Sequence, residues 1–230
     1  MIQPVLRKHE GIVVVRDDLL EGGSKVRVAP ALLGSNDEWV FAGPAQGYAQ
    51  LALAIACEMT GKRGVFFTAK RNEPLPLTKQ AMKHGLKVVQ VPHGRINVVQ
   101  ARAREYCAAS GATFIDLGLK LPGMEDALFS LASQMEIDEP KEVWVTAGSG
   151  TLTRALARAW PSAEIHAVQI GMSPELPDRA ILHVAEEEFA KPALAPPPFP
   201  SAIFYDAKAW RFVRAGARTD GRALFWNVGA

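Results

Sequence analysis

Apolar positions along this chain come in short unbroken runs rather than in alternation with polar ones. Residues 12–15 (Ile-Val-Val-Val), 39–42 (Trp-Val-Phe-Ala), 64–68, 87–91, 112–116, 142–147 and 164–171 are largely apolar and are bounded by glycine, proline or charged residues. Runs of that length without alternation predict strands buried on both faces. Between them lie segments of helical character: 49–60, alanine-rich and closed by Gly61; 77–84, ended by Gly85; 97–109, with Asn97 as its N-cap; 123–135; and 152–160. Strand and helix in alternation predict an α/β fold, a parallel twisted sheet with helices on both faces joined by right-handed crossovers. Residues 180–184 add a strand and 224–230 a last one, whereas the proline-rich stretch 191–200 is an extended connector that cannot be helix or central strand.

Composition narrows the class. With 230 residues, 48% hydrophobic and 22% charged, and a mean hydropathy of +0.02, the chain has neither a disordered nor a membrane composition. No apolar run approaches a membrane span, and the first ten residues lack a secretory signal pattern, so the expectation is a cytoplasmic protein. Cys57 and Cys107 both fall in helical segments without metal-ligand spacing, which predicts two buried small hydrophobes, no disulfide and no metal site. The net charge of +2 is mild. The local concentration is stronger: Arg211, Arg214, Arg218 and Arg222 stand among Trp210 and Phe212, a mixture found on nucleic-acid surfaces as well as on solvated faces.

Three places carry candidate chemistry. The first strand stops in Asp17-Asp18-Leu19-Leu20-Glu21-Gly22-Gly23-Ser24-Lys25, an acidic, glycine-bearing turn that presents one lysine. A lysine held against a buried scaffold loses its proton more readily than one in water and becomes a nucleophilic amine; a solvated turn would present the same residues. The strand 142–147 runs through Gly148-Ser149-Gly150-Thr151 into a helix, where glycines admit a ligand to the backbone and the helix end offers N–H groups to a phosphate. A packing turn would look alike, and neither a Walker loop nor a full dinucleotide fingerprint is present. The third is Tyr205-Asp206 in the segment Tyr205-Asp206-Ala207-Lys208, a phenol beside a carboxylate ahead of a helix, whose plainer account is an aromatic anchor followed by an N-capping aspartate.

In combination these motifs resemble the fold-type II pyridoxal-phosphate enzymes, the tryptophan-synthase-β-like group. The nearest likeness is to its branch of 1-aminocyclopropane-1-carboxylate deaminase and D-cysteine desulfhydrase. The residues that carry it are Arg16-Asp17-Asp18-Leu19 with Gly22-Gly23-Ser24-Lys25, the turn Gly148 to Thr151, the segment Tyr205 to Lys208, and the small-residue ending of the last strand. The resemblance implies that Lys25 forms the internal Schiff base. It implies that Gly148, Ser149, Gly150 and Thr151 hold the phosphate of pyridoxal 5′-phosphate, that Asp206 faces the pyridine nitrogen, and that Tyr205 stacks on the ring or passes a proton. It also implies a compact two-lobed fold, with a larger cofactor-binding lobe of residues 1–42 and 136–230 and a smaller lobe of 43–135, and a homodimer.

Two departures stand out. The chain is short for that group, and its substrate loop reads Gly43-Pro44-Ala45-Gln46-Gly47-Tyr48, so Gln46, Gly47 and Tyr48 are the candidate substrate contacts with few side-chain donors among them. A poorly held carboxylate is one that leaves, which points to an α-decarboxylating lyase acting on an amino-acid group. Short chains of this kind also resemble phage enzymes of thymine hypermodification, which implies a DNA-linked amino acid as substrate and DNA contact through the arginine-bearing tail. The competing expectations are elimination or deamination of a free small amino acid, and an inactive binder of the cofactor or of nucleic acid.

Overall fold

The computed structural model describes residues 3–92 and 94–230. The chain divides into two compact units, one made of Met1–Ser24 and Gly123–Ala230, the other of Lys25–Pro122. The first is therefore discontinuous in sequence, and the second is inserted after Ser24.

The first unit opens with β1 (Leu6–His9) and β2 (Ile12–Arg16), an antiparallel pair. Glu10 and Gly11 join them, both at positive φ, as a two-residue hairpin of matching twist requires. The apolar run predicts β2. It does not predict β1, whose sequence Leu-Arg-Lys-His is half-exposed at a sheet edge and carries no apolar run.

The second unit contains α1 (Ala29–Leu32), β3 (Glu38–Ala42), α2 (Ala49–Thr60), β4 (Arg63–Ala69), α3 (Pro76–Lys83), β5 (Lys87–Val91), α4 (Ile96–Ser110) and β6 (Thr113–Ile115). Its four strands are all parallel in the order β5-β4-β3-β6. Val40, Ala42, Val65, Phe67 and Val91 pack with Val99 and Ala103 of α4 into its core. Gly61 closes α2 at φ 67 and accounts for the sharp stop. Asn97 is not the cap of α4: Arg95 holds that position, and the Asn97 carboxamide oxygen accepts the N–H of Val98 from within the first turn. Cys57 is buried against the Cα of Gly64, and desolvation pushes its thiol up to about 12; Cys107, half-buried, is raised by the same cause. Both are small hydrophobes with no thiolate at neutral pH.

The chain returns to the first unit with α5 (Met124–Ser133), β7 (Glu142–Ala147), α6 (Thr151–Ala159), β8 (Glu164–Gln169), β9 (Ala180–Val184), α7 (Trp210–Gly216) and β10 (Ala223–Asn227). The sheet order is β1-β2-β10-β7-β8-β9, parallel throughout except for β1. β10 thus lies between β2 and β7, which places the end of the chain at the centre of the sheet. Ile12, Val14, Trp144, Phe199, Trp210, Val213 and Phe225 form the core on one face. On the other, α5 and α6 pair through Arg154 to Glu125 (2.8 Å) and Arg158 to Asp126 (2.9 Å). The proline-rich connector is irregular and sends Phe199 into the core. No helix among the described residues is long and apolar enough to cross a membrane, and none of their side chains cluster as metal ligands.

Candidate active site

The lysine turn begins where β2 ends. Arg16 grips Asp18 through two bonds of 2.7 Å, which raises the guanidinium further, and Asn227 at the end of β10 donates to the same carboxylate at 2.8 Å. Asp17 and Ser24 are buried, and the indole N–H of Trp226 is shared between Asp17 Oδ2 (3.1 Å) and Ser24 Oγ (2.9 Å). Ser24 N–H donates to the Val228 carbonyl at 3.0 Å. Gly23, at φ 72, passes so close that a β-carbon there would collide with that carbonyl oxygen. The turn is built onto β10 rather than solvated. Lys25 follows at once, half-buried in the short 3-10 turn Ser24–Arg27, with its carbonyl accepting the N–H of Val28.

The glycine turn lies at the C-terminal end of β7, where ligands of parallel sheets bind. Gly150 is the N-cap of α6 at φ 82, and no side chain caps this end, so its first amides have no partner inside the helix. A β-carbon at Gly150 would collide with the Glu175 carbonyl oxygen, and one at Gly148 would stand 3.0 Å from Tyr205 Oη. Arg154 fixes the turn from below by donating to the carbonyls of Ser149 (3.4 Å) and Glu175 (2.7 Å), and Ser149 Oγ lies 3.1 Å from Thr151 Oγ1. Two hydroxyls bracket the turn, Thr146 Oγ1 and Thr153 Oγ1; both are buried and without a hydrogen-bond partner among the described residues.

Tyr205 reaches the same turn. Tyr205 Oη donates to the Thr146 carbonyl (3.4 Å), and the Gly148 amide faces it. Burial, then the neighbouring Asp206 charge, push the phenol well above its ordinary value, so it stays protonated. Asp206 is 1% exposed and opens the 3-10 turn Asp206–Lys208; its side chain does not cap that turn, contrary to the plainer account of its sequence. Lys208, equally buried, donates to the carbonyls of Glu188 (2.8 Å) and Phe189 (3.4 Å), and desolvation lowers its ammonium.

In the second unit Gln46, Gly47 and Tyr48 form the turn between β3 and α2, all half-buried. Gly47 N–H donates to the Pro44 carbonyl at 3.0 Å. The fully buried Gln50, one residue into α2, holds the turn from beneath by donating to the carbonyls of Ala45 (2.7 Å) and Gly47 (3.3 Å). Sequence reasoning passed over Gln50, although a lone amide inside an otherwise apolar helix start is a visible signal. The structure therefore brings Tyr205 to the turn Gly148–Thr151, holds Asp206 buried in the same unit as the next residue of the chain, and carries Lys25 and the Gln46–Gly47–Tyr48 turn on separate segments of the second unit.

This is the fold-type II architecture. A crystal structure of an ACC deaminase homologue matches at a TM-score of 0.82 with 15% identity, covering 100% of this chain and 90% of that one. A processed threonine deaminase isoform 2 from Solanum lycopersicum matches at 0.75 and 15% identity, over 100% of this chain and 79% of that one. The apo diaminopropionate ammonia lyase of Escherichia coli matches at 0.67 and 13%, over 95% and 77%. No protein-family model and no curated sequence matches the chain.

Proposed function

We propose that the chain binds pyridoxal 5′-phosphate and acts as a lyase at the α-carbon of a free amino acid, by elimination or deamination. The observation that carries this reading is the turn Gly148 to Thr151. It sits at a strand end and an uncapped helix N-terminus, has in Gly150 a position where a side chain would collide with backbone and in Gly148 one that leaves little room beside Tyr205, and is flanked by two buried hydroxyls without partners among the described residues. Such a cradle fits a phosphate. A buried carboxylate, Asp206, two residues from a buried lysine fits a protonated ring nitrogen.

Bound there, pyridoxal phosphate would supply the electron sink for the pair left when a bond at the α-carbon breaks. The amides of Ser149, Gly150 and Thr151 would bind the phosphate. Asp206 would hold a proton at the pyridine nitrogen. Lys25 would anchor the aldehyde carbon and, once displaced by the substrate amine, hold the α-proton. Tyr205, kept protonated, shapes the cradle from the Gly148 side and can donate a proton but not accept one at neutral pH.

Which bond breaks depends on how the substrate carboxylate is held. The turn Gln46 to Tyr48 runs directly into α2, whose N-terminus has no side-chain cap, so backbone amides supply the donors that the loop's side chains lack. A carboxylate held by amides is retained, which favours elimination over the decarboxylation expected from side chains alone. The argument for a DNA-linked substrate also weakens, because Arg211 pairs with Glu187 (3.0 Å), Arg214 with Glu10 (3.0 Å) and Arg218 with Asp220 (2.8 Å).

The test is an absorbance spectrum with pyridoxal phosphate, borohydride reduction and peptide mapping, followed by incubation with serine, threonine, cysteine and 1-aminocyclopropane-1-carboxylate. A visible band fixed onto Lys25, with release of ammonia and a keto acid, is expected. Reduction scattered over other lysines would end the cofactor reading. Carbon dioxide without a keto acid, from free or DNA-linked amino acids, would replace elimination by decarboxylation.

A further inference from the structure

We infer that Trp226 is a positioning residue for Lys25, acting through Ser24; this rests on the reading of Lys25 as the covalent anchor. An indole has one N–H to give, and Trp226 divides it between Ser24 Oγ at 2.9 Å and Asp17 Oδ2 at 3.1 Å. All three side chains are buried. A bond to a carboxylate in such surroundings is strong and directional.

The donor stands on rigid ground. Trp226 pairs with Val15 of β2 on one side and Val145 of β7 on the other, so it occupies the middle of a six-stranded sheet. The same strand takes the Ser24 N–H at the Val228 carbonyl, and Gly23 permits the approach. Ser24 is thus fixed by its hydroxyl and by its amide, both to β10 and its extension. Lys25 is the next residue, one peptide bond on. Because the serine oxygen accepts from the indole, its own proton is directed away from Trp226. An anchoring amine works at a rate set by how often it occupies the reacting geometry, and that geometry starts from its backbone. The Asp17 carboxyl group accepts from the same N–H, so Trp226 ties the acidic start of the turn to its end.

The test uses the full chain with Trp226→Phe, Ser24→Ala, Ser24→Thr and the Phe/Ala double variant. Thermal melting followed by circular dichroism reports folding. Pyridoxal phosphate with borohydride and peptide mapping reports the fraction of label on Lys25, and a pH titration of the visible band reports the state of the anchor. Trp226→Phe and Ser24→Ala are each expected to fold and to lower Lys25 labelling about fivefold, the worth of the one neutral hydrogen bond between indole and hydroxyl that both remove. The double variant is expected to be no worse than Trp226→Phe alone, which already removes the bond that Ser24→Ala removes. Ser24→Thr, which keeps a hydroxyl, is expected to label as the parent does and to leave the band titration unmoved.

Unchanged labelling in folded Trp226→Phe or Ser24→Ala overturns the inference, as does additive loss in the double variant. If Trp226→Phe does not fold, Ser24→Ala and Ser24→Thr decide alone, because the indole keeps Asp17 in both. A parent protein that takes no label at Lys25 overturns the cofactor reading and this inference with it; labelled parent and labelled variants overturn only the inference.

Discussion

Gly150 shows how closely single residues are constrained at this site. Its φ of 82 already disfavours a side chain, and the space where a β-carbon would stand is taken by the Glu175 carbonyl, a backbone atom that cannot swing away. Gly61 and Gly111 share the positive φ but face open space. Replacing either of these with alanine is expected to cost about 1–2 kcal/mol, the strain alone. Gly150→Ala is expected to cost clearly more, and urea unfolding of the three variants checks the ranking; equal costs would show that the turn relaxes freely. Lys208 offers a second test. Because burial lowers its folded pKa, the folded chain releases this proton before the unfolded chain does. Between that lowered value and the ordinary 10.5 the unfolded state holds more protons, so Lys208 makes stability rise with pH across that window. Lys208→Met is expected to flatten that rise in alkaline melting curves. It also strips the donor from two carbonyls, at about 1–3 kcal/mol near neutrality.

At the scale of elements, β8 and β9 hold a feature that no local pattern announces. His166 Nδ1 and His183 Nε2 lie 3.0 Å apart, with Trp144 stacked on His166 at 3.9 Å between ring centroids and Phe212 tilted against His183. His166 Nε2 also lies 2.7 Å from Glu164 Oε1, without the alignment of a hydrogen bond. Burial, and then His166, lower the His183 pKa. The folded chain therefore resists a proton that the unfolded chain accepts, and stability falls as pH drops from 6.5 towards the lowered value. His183→Gln is expected to reduce that acid loss, read as the difference in melting temperature between pH 7 and pH 5; an undiminished loss would assign the acid sensitivity elsewhere. The elements themselves were largely legible. The strands 87–91, 142–147 and 180–184 and the helix 49–60 stand where the apolar runs and Gly61 place them. β1 was not legible, because an edge strand with one neighbour needs no apolar run, and Asn97 has a cap's local chemistry although it stands two positions past the cap, Arg95.

On the scale of the molecule, apolar runs could announce parallel strands but not that they belong to two sheets, since pairing is decided by contacts far apart in sequence. β10 illustrates it: its partners are β2 and β7, and it supplies Trp226, Asn227 and Val228 to a turn some 200 positions earlier, a relation that no pattern within either segment reveals. The glycines and the lysine of the candidate site were readable because their demands are local, whereas Trp226 and Gln50 act through folded neighbours. Under the proposed function the cofactor binds the folded chain and not the unfolded one, so it stabilises by mass action. At 100 times its dissociation constant the gain is about 2.7 kcal/mol, which for a chain of this size raises the melting temperature by about 5–10 °C. Inorganic phosphate, meeting the cradle alone, is expected to raise it less, and pyridoxal without phosphate least. Gly150→Ala is expected to lose the shift with both phosphate-bearing ligands. Lys25→Ala is expected to lose only the part by which pyridoxal phosphate exceeds phosphate, so that thermal shifts of the two variants separate the cradle from the anchor. A Lys25→Ala shift equal to that of the parent would mean that this lysine contributes nothing to holding the cofactor, whatever the cradle does.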